Sequence, residues 1–138
     1  MASGVYNISK GGSVNWASGG DDIDVLLVDA VHTFNPDHQY VNEIDANEST
    51  GTGYARKGAL NRSVSVDNTS DELQHDCDDI EWGGADFGTV HGAVFYIYNA
   101  SDSLAQLVAY SELASDVVTN TGSFTLQIGG EGVYKGTP

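Results

Sequence analysis

Cysteine is almost absent from this sequence, since Cys77 is the single one in 138 residues. One cysteine cannot close a disulfide within the chain, so the fold must be held by apolar burial and hydrogen bonding. No run of eighteen apolar residues is present, and Met1 to Asn15 contains one lysine and no apolar stretch typical of a signal peptide. We therefore predict neither a disulfide-rich secreted domain nor a membrane-inserted chain.

Positive charge is also scarce. The chain has 5 Lys and Arg residues against 20 Asp and Glu residues, which gives a formal net charge of −15 at pH 7. A surface this acidic repels the phosphate backbone of DNA or RNA. We therefore predict that the chain does not bind nucleic acid directly.

Helix-forming patterns are missing as well. No stretch of ten or more residues places its apolar residues at helical spacing, whereas glycine occurs 17 times and proline only twice. Glycine, Asp, Asn, Ser and Thr favour turns over helices, so many turns between short strands are expected. A length of 138 residues is typical of one domain with one main core.

Two segments have the pattern of central strands. Ile23 to Val31 opens with alternation and becomes continuously apolar, and Val90 to Tyr98 places apolar residues on both faces. Asn99 to Ser103 is a turn sequence between Val90–Tyr98 and the apolar segment Leu104 to Leu113. This arrangement predicts a β-hairpin.

The remaining segments complete the predicted fold. His32 to Thr52 is a long irregular stretch with room for one or two helical turns, and Tyr54 to Leu60 and Ser63 to Val66 each resemble a short strand. Val117-Val118 and Phe124 to Ile128 are expected to form the closing strands. We predict an all-β, single-domain antiparallel β-sandwich, jelly-roll or Ig-like, over residues 21–138. Residues 1–20 are expected to form an N-terminal Gly/Ser-rich arm or lead-in strand.

The four histidines lie in no catalytic or zinc motif, because the sequence has no His-Glu-x-x-His and no Gly-x-Ser-x-Gly. His91 lies within a predicted strand and is expected to be a satisfied buried or interface residue. His32 and His38 flank a loop and are expected to be solvated. These two histidines with Asp29 and Asp37 could bind a metal, but their spacing alone gives little support for that alternative.

Two further segments could carry chemistry. Gly51 to Gly58 is rich in glycine but lacks the Gly-Lys-Ser/Thr ending of a phosphate-binding loop. The stretch 67–81 has seven acidic residues, yet it lacks the alternating acidic loop of an EF-hand, and a solvated acidic face is the favoured interpretation. Carboxylates near Cys77 raise the pKa of the thiol and make it a poor nucleophile. We therefore predict no catalytic residue, no cofactor and no metal site.

Aromatic residues offer a binding surface of another kind. Trp16, Trp82 and seven tyrosines could line a sugar-binding face, because aromatic rings stack on the apolar faces of sugars. In a β-sandwich such residues more often lie in the core or at a subunit interface.

Six short segments follow one another in a characteristic order. They are Asp24 to Asp29, Gly53-Tyr54-Ala55-Arg56 with Leu60, Asp79-Ile80-Glu81-Trp82, Gly92-Ala93-Val94-Phe95-Tyr96, Leu104 to Tyr110, and Phe124-Thr125-Leu126. This order resembles a group of small structural proteins of tailed-phage particles, in particular head decoration (cement) proteins. The resemblance covers nearly the whole chain and implies a β-sandwich core without catalytic residues.

The resemblance implies a role at the outer surface of the virion. A cement protein binds the assembled head and stabilises it by bridging subunits of the major capsid protein. We expect a homo-oligomer, with a trimer as the natural arrangement at a quasi-three-fold position. The alternatives are a tail or fibre component that contacts the host surface, and a calcium- or glycan-binding β-sandwich module outside the virion.

We expect seven residues to contribute to the partner interface. Arg56, Lys57 and Arg62 are three of the five cations and lie within seven positions. They are expected to face an acidic partner surface or to hold the acidic stretch in cis, with ordinary exposed charge as the alternative. The predicted interface consists of Val5, Tyr6, Trp16, Tyr54, Arg56, Lys57 and Arg62.

Overall fold

The computed structural model describes residues 3–10, 14–129 and 132–136, and the side chains as far as Tyr134. The described residues form ten strands and three single 3₁₀ turns. The strands are Gly4–Val5 (β1), Ile23–Val28 (β2), Lys57–Gly58 (β3), Ser63–Asp67 (β4), Glu72–Asp76 (β5), Ile80–Ala85 (β6), Gly88–Ile97 (β7), Leu107–Thr119 (β8), Gly122–Leu126 (β9) and Tyr134–Gly136 (β10). The 3₁₀ turns are Asn7–Ser9, Val41–Glu43 and Asp45–Asn47.

The strands form three antiparallel sheets. The largest has the order β1-β8-β7-β2-β3, a second has the order β10-β5-β4, and β6 pairs with β9 in a third. The predicted all-β antiparallel sandwich is confirmed. The two 3₁₀ turns between Val41 and Asn47 also confirm the prediction of one or two helical turns in the long irregular stretch.

The five-stranded sheet is covered on both faces. Val25 and Leu27 of β2 belong to one core cluster, which also contains Phe95, whereas Leu26 and Val28 belong to a second cluster on the opposite face. Successive side chains of a strand point to opposite faces, so an uninterrupted apolar run requires a cover on each side. The prediction that Ile23 to Val31 is a strand buried on both faces is confirmed for Ile23–Val28. It is wrong for the last residues, because the strand ends at Val28 and Val31 is 75% exposed.

The strand β8 is longer than the sequence pattern predicts. It pairs with β7 in the expected hairpin and continues through Val117-Val118, which the sequence pattern treats as a separate closing strand. Val90 lies opposite Val117 and Gly92 opposite Glu112, so the residues of β8 between these two pairs form a bulge. The bulge bends the strand without ending it, and it places the Glu112 and Asp116 side chains beside β7.

The N-terminal segment is packed on the body of the protein. β1 pairs with β8 at the edge of the large sheet, and a Cβ added at Gly4 would lie 3.1 Å from the Phe34 ring. Tyr6 and Trp16, from the same segment, are 0% and 1% exposed. The described residues before position 21 therefore include a lead-in strand and contribute to both cores, which differs from a free arm.

The acidic stretch 67–81 contains a strand that sequence analysis did not predict. β5 occupies Glu72–Asp76 and lies between β4 and β10. The His75 ring stacks on the Tyr134 ring at a centroid distance of 3.9 Å, and the Trp16 ring contacts both edge-on. This aromatic cluster attaches the small sheet to the main core.

Candidate interaction surface

Arg56 lies at the centre of a hydrogen-bonded ion-pair network between three loops. Its Nε donates to Glu48 Oε2 at 2.8 Å and its Nη2 donates to Glu48 Oε1 at 2.7 Å. The same guanidinium donates to Asp102 Oδ1 at 2.8 Å and Oδ2 at 3.0 Å. Two bidentate carboxylate contacts use the planar donor fork of arginine almost completely.

The network continues to the large sheet through Tyr54. The Tyr54 hydroxyl donates to Glu48 Oε2 at 2.5 Å and accepts a hydrogen bond from the backbone N–H of Leu27 at 3.2 Å. Burial, together with the hydrogen bond to Glu48, raises the pKa of Tyr54 far above its ordinary value. The hydrogen bonds from Arg56 lower the pKa of Asp102. Tyr54 and Arg56, both predicted interface residues, therefore hold the loops of their own chain together.

Arg62 makes a different set of contacts, all to backbone oxygens. Its Nε donates to the Trp16 carbonyl at 2.7 Å, and its Nη1 and Nη2 donate to the carbonyls of Ala59 and Asp21, both at 2.6 Å. Arg62 thus joins the N-terminal segment to the chain that follows β3. The hypothesis that Arg56, Lys57 and Arg62 hold the acidic stretch 67–81 in cis is wrong for Arg56 and Arg62. Their hydrogen bonds join other segments of their own chain.

We expect Arg62→Lys to lower the free energy of unfolding by about 1–2 kcal/mol, although it keeps the charge. A lysine nitrogen cannot reach three carbonyls that the guanidinium spans with three nitrogens, and hydrogen bonds to charged donors contribute about 1.5–3 kcal/mol each. Urea unfolding measures the difference. The reverse exchange, Lys57→Arg, is the control and should stay within about 0.5 kcal/mol of wild type. Equal stability of Arg62→Lys and wild type would show that charge alone matters here.

Lys57, the third predicted cation, is partly exposed. It lines a shallow open depression of about 290 Å³ together with Leu60, Asp79, Ile80 and Glu81. Leu60 is 65% exposed, so the depression combines one cation, two acids and an uncovered apolar side chain.

The other predicted interface residues lie at the N-terminal segment. Val5 is half-buried in β1, opposite Ala109, whereas the side chains of Tyr6 and Trp16 are buried in the two cores. The assignment of Tyr6 and Trp16 to a partner surface is therefore wrong for this folded chain. Their large rings fill the space beside the central sheet, which is the alternative that composition allowed.

The surface that sequence analysis missed is the hairpin of β4 and β5, residues 63–76. In an antiparallel pair, directly opposite residues share a face. The register pairs Val64 with His75 and Val66 with Leu73, so these four side chains form one face. His75 is covered by Tyr134 and Trp16, whereas Val66 is 58% and Val64 is 39% exposed. The apolar face is therefore attached to the core at one end and uncovered at the other.

The opposite face of the hairpin is acidic. The register places Asp67 opposite Glu72 and Ser63 opposite Asp76, with Ser65 and Gln74 between these pairs. The signal for the hairpin was available in the sequence, because Leu73 and His75 alternate with polar residues after the turn Asn68 to Asp71. The density of acids concealed that alternation, since acids are depleted in strands.

His91 on β7 lies between two carboxylates of β8. Its Nε2 is 3.0 Å from Glu112 Oε1 and its Nδ1 is 2.6 Å from Asp116 Oδ1. The hydrogen bond to Asp116 and the two negative charges raise the pKa of His91. His91 was expected to be a satisfied buried or interface residue; its ring is satisfied by the two carboxylates, but it is partly exposed. The two contacts hold the β8 bulge against β7.

We expect His91→Gln to destabilise the protein in a pH-dependent manner. Because the pKa is higher in the folded state than the ordinary value of about 6.5, the stabilisation is complete below about pH 6.5. It is lost as the pH rises through the folded pKa. The Asp116 side chain is 41% exposed, so the effect at pH 5.5 should be only about 0.5–1 kcal/mol. Urea unfolding of both proteins at pH 5.5 and 9 measures it, and an equal gap at both pH values would contradict the ion-pair account.

His32 corrects another expectation. Its side chain is buried at 5% exposure, with its ring 5.0 Å from the Tyr110 ring, whereas sequence analysis placed it in solvent. Burial lowers the pKa of His32, and the neighbouring His38 and His91 lower it further. The Tyr110 ring packs against His32, and because Tyr110 is distant in sequence, the local pattern could not predict that His32 is buried. His38, expected to be solvated, is partly buried.

Cys77 is buried and its thiol is not activated. Burial is the main cause that raises the pKa of Cys77 to about 12, and the charges of Asp76 and Asp78 add to the effect. The direction agrees with the sequence prediction, but desolvation contributes more than the carboxylates that sequence analysis identified.

Among residues 3–10, 14–129 and 132–136, no three His, Cys, Asp or Glu side chains converge as a metal ion would require. The helical turns of the described chain are too short to cross a membrane. Comparison with known proteins found no matching family, no similar curated protein and no similar solved structure.

Proposed function

We propose that this chain is a non-catalytic structural protein of a tailed-phage particle, a decoration protein that binds the outer surface of the assembled head. In this role it bridges neighbouring subunits of the major capsid protein and acts as a homo-oligomer, with a trimer at the quasi-three-fold positions. The observation that carries the proposal is the β4–β5 hairpin, which combines an open strand edge with two exposed valines, Val64 and Val66, on one face.

The rigidity of the body supports this function. A protein that bridges shell subunits transmits force between them, so its loops must keep a fixed conformation under load. Arg56 joins the loop that contains Glu48 to the loop that contains Asp102, and Arg62 joins residues 16 and 21 to residue 59. Such contacts stabilise one loop arrangement and lower the entropic cost of binding.

The charge supports an exterior position. A net charge of −15 disfavours a location against packaged DNA, because like charges repel at short range. Binding only to the assembled shell stabilises that shell by mass action, without any active site.

The direct test is the location of the chain in phage particles whose genome encodes it. We expect mass spectrometry to find it in purified particles, and electron cryo-microscopy to show its density at lattice axes on the head. Heads that lack the chain should rupture at lower temperature than complete heads, and added protein should restore their stability. Density on the tail would replace the head assignment by the tail or fibre alternative. Absence from the particles would overturn the proposal.

A further inference from the structure

We propose that the open edge of β4 is the docking strand of this protein, and that it pairs with an extended partner segment in which apolar residues alternate with Lys or Arg. This inference deepens the proposed function, on which it rests, by naming the contact and the chemistry of the partner segment.

The first argument is the unprotected edge. Within the described part of the chain, β4 is hydrogen-bonded to β5 on one side only, as the terminal strand of its sheet. In an antiparallel edge strand, alternate backbone N–H and C=O groups point away from the sheet and are available to another strand. Proteins usually protect such an edge with lysine, proline or a bulge. β4 has the sequence Ser-Val-Ser-Val-Asp and a regular register, so none of these devices is present.

The second argument is the uncovered apolar face. All residues of β4 except Asp67 are exposed, although Val64 and Val66 would be expected to lie against a core. An added strand would place its own apolar residues beside these two valines, at the cross-strand spacing that favours contact between β-branched side chains. Docking by strand addition thus removes apolar surface from water and satisfies backbone groups in the same step.

The third argument is the charge of the opposite face, which selects the partner. On that face Asp67 lies directly opposite Glu72, and two pairs further along Asp76 lies opposite Ser63. A strand added to β4 brings every second residue to this acidic side. Lys or Arg at those positions reduces the repulsion between the acids, whereas Asp or Glu increases it. A second copy of the hairpin is a poor occupant of this edge, because its own β4 would bring a second Asp67 to the edge and its acidic face would add further acids.

Two peptides test the chemistry with the isolated protein. One alternates Lys and Val over ten residues, and the other alternates Glu and Val. We expect the Lys-Val peptide to shift the amide NMR signals of residues 63–67 in a saturable manner, and the Glu-Val peptide to have no effect. Val66→Lys should weaken binding of the Lys-Val peptide at least about tenfold, since it replaces an apolar contact by a like charge. Shifts spread over the acidic surface without those of 63–67 would overturn the proposal, because they would show non-specific attraction.

Heads assembled without this chain test the surface in its proposed setting. Val66→Lys should reduce co-sedimentation with such heads at least about tenfold, whereas Val118→Lys serves as the matched control. Val118 is also a strand valine, 71% exposed, and lies outside the hairpin on β8. Circular dichroism verifies that both variants fold.

The outcomes separate the two proposals. If wild-type protein does not bind the heads, the proposed function fails, while the peptide experiment still decides the docking strand. If wild type and Val66→Lys bind the heads equally, the docking strand is wrong and the proposed function stands. If Val118→Lys weakens binding as much as Val66→Lys, β4 is not the specific contact. A dimer that forms at low micromolar concentration and is abolished by Val66→Lys would make a second copy the occupant and overturn the proposed partner.

Discussion

Replacement of Trp16 by Ala is expected to lower the free energy of unfolding by about 3–5 kcal/mol, the range typical of large-to-small changes at buried aromatic residues. Trp16 is 1% exposed and its ring lies 5.9 Å from Phe95 and 5.4 Å from Tyr134, measured between centroids. Its Nε1 donates to the Asp76 carbonyl at 2.9 Å. The substitution therefore opens a cavity where the N-terminal segment, the large sheet and the small sheet meet.

Two further variants isolate the cause. Trp16→Phe keeps an aromatic ring but lacks the Nε1 donor to the Asp76 carbonyl. It should therefore lower the free energy of unfolding less than Trp16→Ala does. Tyr98→Ala removes a large aromatic side chain that is 51% exposed, and should stay within about 0.5 kcal/mol of wild type. Urea unfolding gives all three free energies, and tryptophan fluorescence follows it because Trp82 remains in every variant. A loss below about 1 kcal/mol for Trp16→Ala would show that the first twenty residues are a detachable arm after all.

Arg56→Met is expected to lower the free energy of unfolding by about 2–3 kcal/mol at pH 7. The exposed fractions of the three side chains are 27% for Arg56, 14% for Glu48 and 31% for Asp102, so the network is more shielded than a surface pair. Removal of one partner from a shielded network leaves the other charges without compensation, which costs more than the network contributes as a whole. Here two carboxylates would lose their common cation.

The dependence on pH identifies the ion pairs as the cause. The pKa of Asp102 is lowered in the folded protein, so its stabilisation is present above the ordinary value of about 3.9 and is lost as the pH falls through the folded pKa. The difference between wild type and Arg56→Met should therefore be largest near pH 7 and shrink towards pH 3. Lys57→Met, the change of an adjacent cation without these contacts, should show little difference at either pH. If wild type and Arg56→Met differed in free energy of unfolding by the same amount at pH 7 and pH 3, the cause would be lost packing and not lost charge pairing.

The architecture of the central sheet could be predicted from short patterns. Ile23 to Val28 and Val90 to Ile97 carry apolar residues on both faces, and a strand with that pattern is stable only when it is covered on both sides. The turn from Asn99 to Ser103 between apolar segments likewise determines a local hairpin. These features depend on residues that are close in sequence, so the pattern itself contains the information.

The roles of the candidate site residues could not be predicted in this way. Arg56 and Asp102 are 46 residues apart, as are Arg62 and Trp16, and Trp16 is 60 residues from Asp76. Composition suggested cations and aromatics that face a partner, whereas the fold brings each to a group of its own chain. Which distant groups meet depends on how the sheets stack and how the loops close, and neither leaves a periodic signal in the sequence.

The local sequence pattern thus determines three features: the chain forms antiparallel strands, two of these strands are central, and the surface is acidic. It can do so because side-chain alternation and charge are properties of neighbouring residues. Tertiary structure alone decides that Tyr6, Trp16, Arg56 and Arg62 serve the fold, and that the exposed edge lies at Ser63–Asp67. The physical reason is that burial and ion pairing require partners, and for these residues the partners are far away in sequence and arrive only when the sheets pack.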